Sequence, residues 1–428
     1  MPVRARAEPV LAVLVCHDGE QWLREALSAL RRCSPRPRHV LAVDTGSVDR
    51  TPELLADAAS GPDAVLDGVR TLDRNTGFGA AVRVAVDTGV ARWGDPGRWV
   101  WVLHDDCAPE PDCLGVLLRS AELSPSAGLL GPLALDWSDP RLVVEFGLST
   151  DASGHRQTGV GPAELDWSRF DTEGRSAFEQ STEVLAVSSA GALIRRDVWD
   201  EVGGYDPALP LLRDDVDLGW RVNRAGWVAL CVPTARLRHA RAVTRGLREP
   251  DALPGSVRAA DRAHGVRTVL VNRTTAGFAL GLPRILLLCL LRAIGFLLLR
   301  RLSDARAELA VIAYLVGGRA GLRRARAERA AVGRGTVRGL LTSRTTRLRN
   351  AFRGGLTAFV RRRAAADAAL GRLPAENRAW TEPVETHRPV GPDALPAGAL
   401  GRTGAPGRTG ALGVRGARRT AGLRRPAI

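Results

Sequence analysis

Apolar residues stand together at 10–16, and similar runs recur at 39–44, 69–72 and 99–104. Between them, 20–32, 52–59 and 79–90 carry apolar positions at helical spacing. A strand that is apolar throughout needs cover on both faces, and helical stretches of about 10–13 residues between such strands supply it. The pattern predicts βαβ units, fold class α/β, with a parallel sheet covered on both sides. Such a sheet binds ligands at the carboxyl ends of its strands, so the residues that follow each apolar run are the ones to inspect.

The remainder of the chain is less regular. Residues 150–182 are polar and without period, an irregular insertion that either shapes a binding site or is a surface excursion, and 184–195 reads again as a buried strand. The stretch 278–299 contains ILLLCLL and GFLLL, interrupted by Pro283, Arg284 and Arg292. It is long enough to cross a bilayer, but an arginine near its centre would cost about 2.5–3.5 kcal/mol. A second helical stretch, 305–316, is too short to cross. The expectation is a helical pair lying on or partly in the membrane interface; a soluble helical subdomain with a basic face is the alternative. From about 373 the chain is rich in Gly, Ala, Pro and Arg and is expected to be disordered.

Charge sharpens this division. Residues 1–240 hold 25 Arg against 35 Asp and Glu, whereas 241–428 hold 36 Arg against 11. An acidic globular part is followed by a strongly basic one. That basic part has few aromatics and no recognition motif, so no specific nucleic-acid binding is expected. Six cysteines without CxxC spacing exclude a zinc ribbon or a disulfide scaffold and suit a reduced, cytosolic setting. The first apolar run is too short for a signal peptide and reads as a buried strand.

Three acidic clusters fall where a doubly wound sheet would hold a ligand. Asp44 ends the second strand, where a carboxylate can accept hydrogen bonds from a base or ribose, or can simply cap a helix. Asp105 and Asp106 follow His104 at the end of the fourth strand; two adjacent carboxylates there require a cation or a hydrogen-bond network, although a turn is also consistent. Asp214, Asp215 and Asp217 open a predicted helix over 216–223. The helix dipole accounts for one carboxylate there and leaves room for a general base or an acceptor contact. His239 could ligate a metal as neutral imidazole or be a plain polar residue. The NTGFGAAV stretch at 75–82 lacks the third glycine of a dinucleotide loop and does not follow the first strand.

Taken in order, CHDGEQWLREAL (16–27), VDTGSVD (43–49), NTG (75–77), LHDDCAPEPD (103–112), GALIRR (191–196) with VGGYD (202–206), DDVDLGWR (214–221) and His239 resemble the segments of family 2 glycosyltransferases, among them bacterial rhamnosyl- and galactofuranosyltransferases. The resemblance covers about residues 10–240. It implies a GT-A type fold, with a mostly parallel nucleotide-sugar-binding sheet followed by a basic C-terminal helical region. The implied division is a catalytic domain at 9–245, a membrane-associated helical region at 255–372 and the tail at 373–428. It implies donor contacts from Cys16, Asp44, Asn75, Asp105 and Asp106, and a divalent metal, Mg²⁺ or Mn²⁺, on Asp106, His239 and His104. It makes Asp215 the general base and Asp214, Trp220 and Arg221 acceptor-site candidates. Thr45 and His104 replace acidic residues of the family pattern and Asp214 replaces Glu, so which of His104, Asp105 and Asp106 holds the ion stays open. The implied activity is inverting transfer from a nucleoside-diphosphate sugar to a lipid-linked or glycan acceptor, at the cytoplasmic face of a bacterial plasma membrane. The competing reading is an inactive scaffold of the same fold.

Overall fold

The computed structural model describes residues 8–158, 164–165, 181–253, 255–331, 337–342 and 363. The chain divides into two compact units, Met1–Ala358 and Phe359–Ile428, and of the second only Arg363 is among the described residues. The tail expected to be disordered lies outside them.

The first unit begins with β1 (Glu8–Cys16), α1 (Glu20–Arg32), β2 (Pro37–Asp44), α2 (Thr51–Ala58), β3 (Gly68–Thr71), α3 (Phe78–Trp93) and β4 (Trp99–His104). It continues through β5 (Cys107–Pro109), α4 (Cys113–Leu123), β6 (Ala127–Asp136), β7 (Leu142–Glu145) and the hairpin of β8 (Leu148–Thr150) with β9 (Arg156–Thr158). Then come β10 (Glu164–Leu165), β11 (Thr182–Glu183), β12 (Leu193–Arg195), α5 (Arg196–Val202), α6 (Asp214–Arg224) and β13 (Val228–His239). Four helices follow: α7 (Val257–Asn272), α8 (Thr275–Leu298), α9 (Leu302–Gly317) and α10 (Arg319–Ala331).

The main sheet runs β10-β7-β6-β12-β4-β1-β2-β3, with β13 alongside β6. β3, β2, β1 and β4 are parallel, as are β6 and β13, and antiparallel β12 joins the two sets. Alternate residues of β1 feed different cores: Ala12 and Leu14 pack with Leu23 and Leu114, while Leu11 and Val13 pack with Val82 and Leu218. Both faces are covered, which is why this strand is apolar at every position. Register sets the site. Cys16 lies opposite Asp44, Val15 opposite His104, and His239 opposite Cys107, so candidates far apart in the chain share one edge of the sheet.

One predicted element is corrected. The run 184–195 is not a continuous strand: β11 and β12 are separated by a turn, with Gly191 at φ +86°. Its apolar residues serve different cores, Leu185 and Ala186 beneath Trp220 of α6, Leu193 in the sheet. The turn brings Ser189 to His104, 3.0 Å from its Nε2.

Candidate active site

A cleft open to solvent lies at the carboxyl ends of β1 and β4, where an open α/β sheet binds its ligands. Its floor is Cys16 and Thr45; its far wall is the first turn of α6 and the segment after β13. Burial, then the nearby Asp105, raises the Cys16 thiol well above its usual value, so it stays neutral.

The adjacent Asp105 and Asp106 point into different surroundings. Asp105 accepts from the Arg248 guanidinium at 2.7 and 2.8 Å and from the His17 backbone N–H at 2.8 Å. A Cβ on Gly19 would come within 2.3 Å of the Asp105 Oδ2, so this position of the CHDG segment must lack a side chain. Asp106 instead faces two imidazoles, with its Oδ1 3.4 Å from His239 Nε2 and 3.7 Å from His104 Nδ1. Its Oδ2 accepts from the Ala242 N–H at 2.8 Å. Burial alone would raise the Asp106 carboxyl, but His239, His104 and Arg248 hold it well below the usual range. The repulsion expected of adjacent carboxylates is therefore relieved by Arg248 on one side and the histidines on the other.

His104, Asp106 and His239 each offer a ligand atom, all within 4.8 Å of one another. Asp106 Oδ1 is buried and lacks a hydrogen-bond partner among the described residues, as does His239 Nδ1, which lies 4.0 Å from Glu145 Oε2 while Nε2 faces Asp106. Unpaired buried polar atoms of this kind are expensive, and two imidazoles with a carboxylate are a fitting donor set for a divalent transition ion.

In the same cleft, α6 brings Asp214 and Asp215 to the wall. Leu212 and Arg213 precede the helix with φ of 67° and 69°, a left-handed turn unfavourable for residues with a Cβ. Arg213 forks onto Asp261 of α7 at 2.6 Å, and the Leu211 carbonyl lies 2.8 Å from His264 Nδ1; these contacts hold the turn. The Asp215 Oδ2 accepts from Arg156 at 3.1 Å, and Arg156 also donates to Glu145 at 2.8 Å. Burial and then the neighbouring Asp215 push Asp214 up to about 7.

That shift has a testable sign. Between about pH 4 and 7 the folded protein keeps a proton on Asp214 that the unfolded chain has lost, so this group's stabilising contribution declines as pH rises through the window. Asp214→Asn should flatten the dependence of Tm on pH over that range. An unchanged slope would remove Asp214 as the titrating group.

Other candidates are displaced from the cleft. Trp220 is buried against Leu148, Leu185 and Val216, and Arg221 is buried in a pair with Asp217 at 2.8 Å while donating to the Val202 carbonyl. Neither lines the cavity, because only the first turn of α6 reaches it. Asp217 is likewise structural, bonded to Arg221, Asn272 and Arg329. Asn75 is exposed and outside the lining, where its neighbours Arg74 and Thr76 stand. A Cβ on Gly77 would meet the Pro210 backbone at 2.6 Å, so the glycine of NTG admits the segment before α6. Asp44 lies just beneath the cleft, its Oδ1 accepting from the Ser47 N–H and hydroxyl, its Oδ2 unpaired. Arg248, Arg156, Glu145 and Ser189 had no sequence signal; each reaches the site from a distant part of the chain.

Residues 7–262 match the family model described as glycosyltransferase like family 2. The chain belongs to this family. It is a glycosyltransferase with a GT-A type fold, using a nucleotide-sugar donor and inverting the transferred sugar. Over 251 residues this glycosyltransferase is 30% identical to the N-acetylglucosaminyl-diphospho-decaprenol L-rhamnosyltransferase of Mycobacterium tuberculosis, covering 56% of the present chain and 78% of that protein. It is 27% identical over 223 residues to the galactofuranosyltransferase GlfT1 of Mycolicibacterium smegmatis, covering 51% and 67%. Among solved structures it is similar to a mannosyltransferase of Pyrobaculum calidifontis in complex with GDP-Man and Mn²⁺, at 17% identity and a TM-score of 0.41, covering 77% of this chain and 88% of that one.

Proposed function

We propose that this glycosyltransferase adds a sugar to a lipid-linked or glycan acceptor of the cell envelope, working at the cytoplasmic face of the plasma membrane. The observation that carries the reading is the presence, in the lining of one cleft, of both the His104–Asp106–His239 trio and the paired carboxylates of α6. The mycobacterial relative named for an N-acetylglucosaminyl-diphospho-decaprenol acceptor supports the acceptor class. In this reading residues 9–245 are the catalytic domain and 255–372 the region that meets the membrane.

The donor's nucleoside lies along the ends of β1 and β2, over Cys16 and Thr45 and near Asp44, with its diphosphate toward Asp105 and Asp106. His104, Asp106 and His239 would hold a divalent ion, of Mg²⁺ and Mn²⁺ the latter being the better match to two imidazoles; bound there it would supply positive charge that neutralises the departing diphosphate. Asp215 takes the proton from the acceptor hydroxyl. The hydroxyl oxygen forms its bond to the anomeric carbon from the face opposite the nucleotide. The bond from that carbon to the diphosphate oxygen breaks, its electron pair leaves with the diphosphate, and the configuration inverts. Arg156, held by Glu145, donates to Asp215 and fixes its position at the cleft wall.

The experiment is a thermal-shift panel of UDP, dTDP and GDP with and without Mn²⁺. A ligand at 100 times its Kd adds about 2.7 kcal/mol to stability, which raises the midpoint by several degrees. A shift with one nucleotide that grows with Mn²⁺ and disappears in Asp106→Ala is expected. A folded protein that responds to none of them would overturn the proposed donor site.

A further inference from the structure

The helices after the catalytic domain carry a surface that the cleft does not use. On α8, Leu280, Leu287, Leu291, Ile294 and Leu298 fall at intervals of seven, four, three and four, which places them along one face. They are exposed, Leu280 to 76% and Leu298 to 80%. Leu302, Leu309 and Val316 of α9, seven apart, are exposed as well. Contiguous exposed apolar surface of this extent marks an interaction site.

The opposite side of α8 is occupied. Ile285 and Cys289 are buried in a core shared with Val266 and Leu270 of α7 and Val311 and Leu315 of α9, and Ala293 is buried as well. Arg284 and Arg292, which interrupt the apolar sequence, reach back toward the catalytic unit. Arg284 donates to the Ala152 carbonyl, and Arg292 lies 3.3 Å from His155 Nε2 and 3.8 Å from Glu308. After α8 and along α9 and α10, Arg300, Arg301, Arg306, Arg319, Arg323 and Arg324 are exposed, while the acidic residues of α9, Asp304 and Glu308, are buried beside arginines. Arg301 pairs with Asp304 and Arg324 with Glu328, whereas Arg300, Arg306, Arg319 and Arg323 are exposed without a carboxylate partner among the described residues. A leucine face with exposed guanidiniums nearby complements the interface of an anionic bilayer, where the apolar side enters the acyl boundary and the cations meet headgroups.

We infer that α8 and α9 form an in-plane membrane dock, lying flat on an anionic lipid surface with neither helix crossing it. Crossing would require α8 to give up its packed face and to carry two arginines into hydrocarbon. α9 is about 24 Å long, short of a span. The dock deepens the proposed reading of a membrane-borne acceptor, because two consecutive residues of the β8–β9 hairpin link the surfaces: His155 contacts Arg292 of α8, and Arg156 contacts Asp215. The acceptor end of the cleft is thereby held close to the lipid.

The test uses the full chain with vesicles of phosphatidylcholine alone or mixed with phosphatidylglycerol. Flotation is expected with the anionic vesicles, falling at least about tenfold in the triple variant Leu287→Glu, Leu291→Glu, Ile294→Glu, whose side chains are exposed and whose fold is checked by its unchanged Tm. A fluorophore on cysteine placed at Leu280 or at Leu298 should respond at both positions to a quencher in the outer leaflet only. Quenching from opposite leaflets would establish a span and overturn the dock. Equal flotation by the triple variant, or no flotation of the parent, would also overturn it. So would a concentration-dependent dimer abolished by the triple variant without vesicle binding, which would assign the face to a second copy. The nucleotide thermal shift of the triple variant separates the two claims: lost flotation with an intact shift concerns the dock, and a missing shift in the parent concerns the transferase reading.

Discussion

Asp215→Asn is expected to lower sugar transfer by about 10²- to 10⁴-fold while leaving the nucleotide-induced thermal shift within error of the parent. The amide keeps the size of the carboxylate and can still meet Arg156, which Glu145 holds in place, so the cleft wall should remain where it is. What the amide lacks is the basicity to accept the acceptor's proton. A loss confined to kcat, with donor affinity unchanged, is the signature of an interaction made in the transition state alone. Single-turnover release of labelled sugar, run beside the thermal shift, reads both quantities on one preparation. Full turnover in the variant would pass the role to Asp214, the other carboxyl on that wall, whose ionisation near pH 7 would then appear in the pH–rate profile.

The second large effect is on stability. Arg248 closes over the site from beyond β13, bonded to both Asp105 oxygens and to the His17 carbonyl, with its guanidinium 5.5 Å above the Trp22 ring. Asp105 is 1% exposed, and burial already raises its carboxyl above the usual value despite the guanidinium. Arg248→Ala leaves that carboxylate buried without a counterion, a change that typically costs about 3–5 kcal/mol. For a unit of this size the midpoint should fall by roughly 4–7 °C. Adding Asp105→Asn to the Arg248→Ala protein should recover much of the loss, since the uncompensated charge is then gone; a double variant no more stable than the single would show that Arg248 acts through packing on Trp22 instead.

Much of the fold was legible because its sheet is built from local signals. The predicted helix 20–32 and strand 99–104 coincide with α1 and β4, and the other early elements differ by a few residues at their ends. Each of these segments declares its state by its own period, and burial on both faces reinforces it. The run 184–195 misled for the same reason. Its apolar residues divide between two cores, and a period read along the chain does not reveal which core each residue enters. Trp220 and Arg221 belong to the same class of correction, since helix position five or six residues beyond Asp215 is visible in sequence, but the depth to which α6 reaches the cleft is not.

By itself the sequence determined the βαβ order, the strand ends where ligand groups gather, and a succession of motifs that identifies the family. Hydrophobic period and short-range chemistry carry that information. Tertiary structure alone decided which carboxylate faces which cation. Asp105 and Asp106 are neighbours in the chain, yet one meets Arg248 and the other His239, 143 and 133 positions away. It also decided that the arginines of α8 turn inward and leave a continuous leucine face outside. Electrostatic pairing depends on distances between side chains brought together by the whole fold, and no local pattern encodes a partner that distant.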